Sequence, residues 1–111
     1  MSNPKRGELS LTMGSETYHC KLNMDTIMRM EQNCGRGILT IANGLSKAEM
    51  SASDMIAILT PVLRSRGLDL KDRDVGKLIF EAGFTEGLRC IAEVIAFLIG
   101  GEEEGNVEAA E

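Results

Sequence analysis

The sequence predicts a mainly α-helical fold with a small β part, in which an N-terminal β-hairpin packs on a bundle of four to five short helices. Apolar and polar residues first alternate with a period of two, and beyond Asn23 the apolar residues recur every three or four positions. The chain has no Trp, only 4% aromatic residues and seven Met. A core of aliphatic side chains and Met suits packed helices better than a β-sandwich.

The length and the charge distribution predict one compact domain followed by a charged tail. A chain of 111 residues has room for a single hydrophobic core, which we place in residues 1–101. Residues 102–111 contain five Glu, which account for the whole net charge of −5 and leave a neutral body with 12 basic and 12 of the 17 acidic residues. Such a composition predicts an acidic disordered tail.

Two strands joined by a tight turn are predicted at the start of the chain. The alternating apolar residues are Leu9, Leu11, Met13, Tyr18, Cys20 and Leu22. A two-residue Gly14-Ser15 turn sets the register, with Leu11 opposite Tyr18 and Leu9 opposite Cys20 on one face. Because an isolated hairpin is marginally stable in water, this face is expected to pack against the helices.

The first two helices are delimited by polar and glycine residues. Asn23 is expected to cap a helix that starts at Met24 and ends at Gly35. A short second helix, Ile38–Ala42, is predicted to end at the Asn43-Gly44 break.

A third helix is predicted to begin with a capping box formed by Ser51 and Asp54. It continues towards Gly67, with an apolar stripe of Met55, Ile58, Leu59, Val62 and Leu63. Pro61 lies inside this helix, and its missing N–H and ring clash are expected to kink or divide it near residues 57–60 unless packing compensates.

Two further helices complete the prediction. The first covers Asp69–Ala82 and ends at Gly83, and the second covers Glu86–Ile99, with Thr85 as its cap and Gly100-Gly101 as its end. The apolar stripe of the first consists of Val75, Leu78, Ile79 and Ala82.

No pattern of catalytic or metal-binding residues is present in the sequence. His19, the single histidine, lies on the polar side of its strand and is expected to face solvent. There is no phosphate-binding loop or nucleophile motif, and the acids around Asp72 do not match a calcium loop. Three separated cysteines indicate core residues in a reducing compartment. We therefore expect no enzymatic activity, no cofactor and no metal.

The charge and hydropathy also bear on partners and location. The neutral body argues against nucleic-acid binding, which draws its affinity from a positive surface. No run of about 20 apolar residues and no leader-like segment is seen, so we expect no membrane insertion and a cytoplasmic location.

The apolar run Val94–Ile99 extends around the whole of the last helix. A surface helix usually keeps one polar face, so this run predicts either a partner or a second copy of the chain as a cover, or a position at the centre of the bundle.

The first helix is rich in Met, a residue that suits promiscuous binding surfaces but also fills gaps in cores. Glu31 lies in its apolar stripe, either in a salt bridge at the edge or as a polar anchor for a partner. The candidate partner contacts are Met24, Met28, Met30, Glu31, Val94, Phe97 and Leu98.

Several short motifs, in order, resemble the small tail-assembly proteins of gene transfer agents and related long-tailed phages. The resemblance covers about Asn3 to Gly101. The motifs are Asn3-Pro4-Lys5-Arg6-Gly7-Glu8, the spacing to Gly14 and Tyr18, Glu31 with Cys34-Gly35-Arg36-Gly37, and Glu81-Ala82-Gly83.

That family has been described both as a tail tube component and as a tail-assembly chaperone. As a chaperone the protein would bind the long tape measure protein, keep it from aggregating and give way to tail tube protein during assembly, with homo-oligomers adding avidity. Tube subunits are β-rich because they close a ring of strands, and a single hairpin does not supply enough strands for such a wall. The predicted fold therefore favours the chaperone. A structural tail or connector subunit is the nearest alternative, and a small helical DNA-binding regulator is a more distant one.

Overall fold

A computed structural model describes the backbone of residues 7–110 and the side chains of residues 7–100. Its elements are β1 (Glu8–Met13), β2 (Glu16–Lys21), α1 (Met24–Cys34), α2 (Ile38–Ser46), α3 (Ala52–Arg64), α4 (Asp72–Ala82) and α5 (Phe84–Ala110). The predicted fold class is confirmed. The predicted acidic tail lies outside the described side chains, so the division into domain and tail remains a prediction.

The hairpin has the predicted register. Strands β1 and β2 pair antiparallel around the Gly14-Ser15 turn, with Leu11 opposite Tyr18 and Leu9 opposite Cys20. Leu11, Tyr18 and Cys20 are buried, because this face packs against α3, α4 and α5. Alternation of apolar and polar residues therefore specified both the pairing and the buried side.

Helix α1 has the predicted ends. The Asn23 side chain accepts a hydrogen bond from the Thr26 backbone N–H at 3.1 Å, and the Thr26 hydroxyl in turn accepts one from the Asn23 N–H. Gly35 adopts a left-handed conformation, with φ 73°, and its N–H donates to the Glu31 carbonyl. This is the usual glycine C-terminus of a helix.

Helix α2 extends beyond its predicted end. It runs through Asn43 and Gly44 to Ser46, so the predicted break is wrong. A glycine inside a helix costs only about 1 kcal/mol. The burial of Ile41 and the partial burial of Leu45 in the core outweigh that cost.

Helix α3 lies at the centre of the fold. The predicted capping box is present, with the Ser51 hydroxyl and the Asp54 carboxylate each accepting the other's backbone N–H. All the residues of its predicted stripe are fully buried, and every residue from Ile58 to Leu63 is buried. It packs against α1, α4, α5 and β2.

Pro61 neither divides α3 nor ends it, because a neighbouring helix compensates for the lost hydrogen bond. Proline has no N–H to donate to the carbonyl four residues earlier, which is that of Ala57. The Asn33 side chain of α1 donates to this carbonyl at 3.1 Å. The helix is therefore undivided, which is the compensated case that the sequence also allowed, and the compensation comes from a residue 24 positions away.

The boundaries of the last two helices differ slightly from the prediction. Helix α4 begins at Asp72 instead of Asp69, because the Lys71 N–H donates to the Asp74 carboxylate at 2.9 Å and starts the helix there. Helix α5 begins at Phe84, and its first turn is closed by the Gly87 N–H and the Gly83 carbonyl, so Thr85 lies within it. The backbone at Gly100 is non-helical, at the predicted stop.

Helix α5 is attached to the tip of the hairpin by Arg89. Its guanidinium donates to the Thr12 carbonyl at 2.6 Å and forms ion pairs with Glu86 and Glu93. Close to it, Gly87 allows α5 to approach α3, since a Cβ there would lie 2.7 Å from the terminal methyl of Met55. These contacts orient the start of α5 across the core.

We predict that Asn33→Ala lowers the free energy of unfolding by about 1 kcal/mol, the usual contribution of one hydrogen bond. Urea denaturation followed by circular dichroism measures the loss. In a Pro61→Ala background, residue 61 regains its N–H and the Ala57 carbonyl recovers a helical donor, so the same substitution should then cost much less. Equal losses in the two backgrounds would show that Asn33 does not compensate for Pro61.

Candidate partner-binding surfaces

Two methionines of α1 form an exposed apolar face. Met24 and Met28, one turn apart, are 66% and 51% exposed, and we call them the methionine face. Met30 is fully buried in the core, because it lies on the opposite side of the helix. It has no surface for a partner in this fold and leaves the candidate set, in agreement with the core interpretation that the sequence also allowed.

Two phenylalanines at the α4–α5 junction are more exposed than expected. Phe80 and Phe84, here called the phenylalanine pair, are 81% and 53% exposed. Neither was among the sequence candidates. At 100° per residue, Phe80 lies about 140° from Val75 in the buried stripe of α4. A helical wheel of α4 therefore predicts that Phe80 faces solvent. Exposure of such large aromatic side chains indicates a contact surface better than scattered aliphatic residues do.

The terminal helix is partly covered by the rest of the chain. Val94 is fully buried and faces the core, so it also leaves the candidate set. Phe97 and Leu98 are half-buried against the core, and Ile99 is exposed. The exposed residues Ala92, Glu93 and Ala96 give this helix a solvent face. Phe97 and Leu98 remain candidate contacts only through the exposed part of each side chain.

Glu31 joins two helices. One of its carboxylate oxygens accepts the Ile38 N–H at 2.8 Å, at the start of α2, where the preceding Gly37 has no side chain to cap the helix. A carboxylate is favourable at a helix N-terminus, where N–H groups lack partners. Among the four ion pairs of the described side chains, none involves Glu31. The expected salt bridge is therefore replaced by a cap across helices.

Arg36 connects the same junction to α3. Its guanidinium lies 3.2 Å from the Asp54 carboxylate, which also accepts the Ser51 N–H in the capping box. Burial alone would raise the pKa of Asp54, but the hydrogen bond from Ser51 and the ion pair with Arg36 outweigh it and lower the pKa. The loop between α1 and α2 thus holds the N-terminus of α3.

Among the residue types that often carry chemistry, the described part of the chain has two buried cysteines and one exposed histidine. Burial raises the pKa of the Cys20 and Cys90 thiols to about 11, so both stay protonated at neutral pH and are poor nucleophiles. No three His, Cys, Asp or Glu side chains of the described part come together as a metal site. His19 lies on the exposed side of β2, as expected, with its ring nitrogen 3.1 Å from the Ser10 hydroxyl. Within the described residues, every helix is too short or too polar to cross a membrane.

Comparison with known families identifies the family of the chain. A family described as "Phage tail tube protein, GTA-gp10" matches residues 6–101, nearly the whole chain. The chain belongs to this family. No match was found among curated proteins or among solved structures. The resemblance to gene-transfer-agent and phage tail proteins is therefore confirmed at the level of the family.

In this member of the phage tail family, the motif of Glu31 and residues 34–37 has a structural role. Glu31 caps α2, Gly35 ends α1, Arg36 pairs with the start of α3, and Gly37 precedes α2. The motif therefore marks the junction of three helices, while the exposed apolar side chains lie outside it.

We predict that the Arg36–Asp54 pair makes stability depend on pH below about 4. Since folding lowers the pKa of Asp54, its carboxylate stabilises the fold above the ordinary Asp value of about 3.9 and loses this contribution as pH falls through the lower folded-state value. Asp54→Asn should unfold more easily at pH 7, with a shallower fall in stability below pH 4. Thermal unfolding between pH 2.5 and 7 measures this.

The matched control is Asp25→Asn, which removes an exposed ion pair to Arg29 on α1. Exposed pairs contribute little, so this variant should follow the wild-type pH profile. An Asp54→Asn profile that also followed the wild type would contradict the assigned role.

Proposed function

We propose that this protein is a tail-assembly chaperone that binds the tape measure protein and supports assembly of the tail tube in the cytoplasm of the bacterial host cell, without catalysing a reaction. The observation that carries the proposal is the exposure of large apolar side chains on the outer helices. The methionine face and the phenylalanine pair are the two main surfaces. Membership of a phage tail family makes another tail protein the natural partner.

Exposed Met and Phe suit the task of holding a long, variable chain. Burying a large apolar side chain contributes about 1.5–3 kcal/mol, so a few such contacts give weak binding that assembly can reverse. Met adapts to partners of different shape, and Phe supplies a large contact area. Several copies along one chain would raise the overall affinity through avidity, which is why we include homo-oligomers in the proposal.

A structural subunit of the tail is the second candidate, and the name of the family, phage tail tube protein, favours it. A tube wall is expected to be built from sheets that continue between subunits. The described part of this chain contains one sheet of two strands and five helices, which favours the chaperone. A structural subunit would be present at stoichiometric levels in purified particles, whereas a chaperone would be absent or rare.

We predict that co-expression with the tape measure protein of the same tail gene cluster keeps that protein soluble. Phe80→Asp combined with Phe84→Asp should reduce the soluble fraction of the tape measure protein severalfold, because charges replace apolar contacts. Met24→Asp combined with Met28→Asp tests the second surface in the same way. Quantification of soluble tape measure protein by immunoblot is the measurement.

The control is Ser53→Asp, an exposed site in the first turn of α3 where an acid suits the helix N-terminus. This variant should preserve the solubilising effect. All variants should keep the circular dichroism spectrum and thermal midpoint of the wild type, since the substituted side chains are exposed. If both double variants solubilised the tape measure protein as well as Ser53→Asp did, the two apolar surfaces would have no part in the function.

A further inference from the structure

The side of helix α4 that faces away from the core combines three charges with the most exposed large apolar side chain of the described residues. We call this surface the α4 outer face, and it consists of Arg73, Lys77, Phe80 and Glu81. At 100° per residue, these residues lie between about 140° and 240° from the buried Val75, and all four are exposed. Phe80 is 81% exposed. The face is therefore open to packing by another helix.

The charges of the α4 outer face change sign along the helix. Arg73 and Lys77 lie in its first two turns, and Glu81 lies in its last turn. None of the three belongs to an ion pair among the described side chains. The neighbouring Asp74 is half-buried and accepts the Lys71 N–H at the start of the helix. Arg73 and Glu81 are about 12 Å apart along the axis, too far to pair within one chain, so both charges are available to another molecule.

A second copy of the chain presents complementary charges when its α4 runs antiparallel to the first. A two-fold axis at Lys77 places Arg73 of each copy level with Glu81 of the other, which allows two symmetric ion pairs. Phe80 precedes Glu81, so the same guanidinium also lies beside an aromatic ring. The two Lys77 side chains lie next to the axis, where their long stems let the ammonium groups extend apart into solvent. Parallel packing would place like charges side by side.

We propose that the chain self-associates through the α4 outer face as an antiparallel, two-fold symmetric dimer. Helix α4 has 11 residues and is about 16 Å long, so the contact is smaller than the roughly 1,600 Å² of a standard interface. The dimer is therefore weak and reversible. Phe80 is covered in it, so a client that needs Phe80 must displace the second copy, whereas the methionine face, on α1, takes no part.

This inference specifies the homo-oligomer of the proposed function and rests on that function for its role in the cell. Several copies held on one client would raise the local concentration and favour the dimer. The association itself is a property of the purified chain, so it is measured without any client.

The test exchanges charges between copies. Arg73→Glu and Glu81→Arg, each alone, turn both symmetric ion pairs into repulsions and should weaken self-association at least about tenfold. An equimolar mixture of the two variants should recover the association, because one variant presents only acids at these two positions and the other only cations. Sedimentation velocity of the purified chain over a concentration series measures the dissociation constant of each sample.

Both substitutions suit the helix in which they are made. An acid in the first turn and a cation in the last turn are favourable to the helix dipole, so each variant should keep the circular dichroism spectrum of the wild type. The matched controls are Lys47→Glu and Glu49→Arg, which make the same changes of net charge at exposed positions after α2. These controls should associate as the wild type does.

Three results would overturn the proposal: a wild-type chain that stays monomeric up to about 1 mM, an equal loss of association in the control variants, or a mixture that associates no better than either variant alone. A monomeric wild type whose α4 outer face is covered only by tape measure protein would assign this face to the client instead.

Co-expression keeps the two proposals apart. The charge variants retain Met24, Met28 and Phe80, so they should still keep the tape measure protein soluble. Loss of the dimer with solubilisation intact would therefore concern the interface alone. A chain that dimerises through α4 but leaves the tape measure protein insoluble would count against the chaperone function alone.

Discussion

The fold depends on burying helix α3 on all its sides. Six consecutive residues, Ile58–Leu63, are buried, which a helix achieves only when other elements surround it. The hairpin, α1, α4 and α5 each cover one side. Pro61 makes the arrangement more demanding, because the Ala57 carbonyl then lacks a donor within the helix, and Asn33 of α1 supplies one. Packing and hydrogen bonding therefore place α1 against the same part of α3.

Features determined by neighbouring residues were predictable from the sequence. The hairpin register, the Asn23 cap, the Ser51–Asp54 capping box and the Gly35 stop each depend on interactions within a few positions. The end of α2 was predicted wrongly, and the sequence left open whether α3 is divided at Pro61, because both depend on distant contacts. Burial of Ile41 stabilises α2 enough for the helix to continue through Asn43 and Gly44, which are weak helix formers. In α3, the Asn33 side chain compensates for the N–H that Pro61 lacks.

The candidate surface was only partly predictable, for the same reason. A Met-rich helix indicates a surface or a core equally well, and only the position of α3 shows that Met24 and Met28 face outward while Met30 faces inward. The sequence pointed to the last helix as apolar all round, but α3 is the helix that is covered on every side. Phe80 was not predicted, because the apolar stripe of α4 identifies its buried side and does not specify which residues face solvent on the other side. Glu31 was recognised as unusual, yet its partner, the Ile38 N–H, belongs to another helix.

The exposed apolar residues follow from the size of the chain. Once the centre of one helix is buried on every side in a chain of this size, the outer helices have only one side left for the core, and little chain remains to cover the other. Apolar residues on those outer sides contribute little to the core, so they are available for contacts with a partner. The motif of Glu31 and residues 34–37 lies at the α1–α2 junction and connects three helices. Such a division between a structural motif and separate exposed surfaces would allow the partner contacts to change without altering the fold.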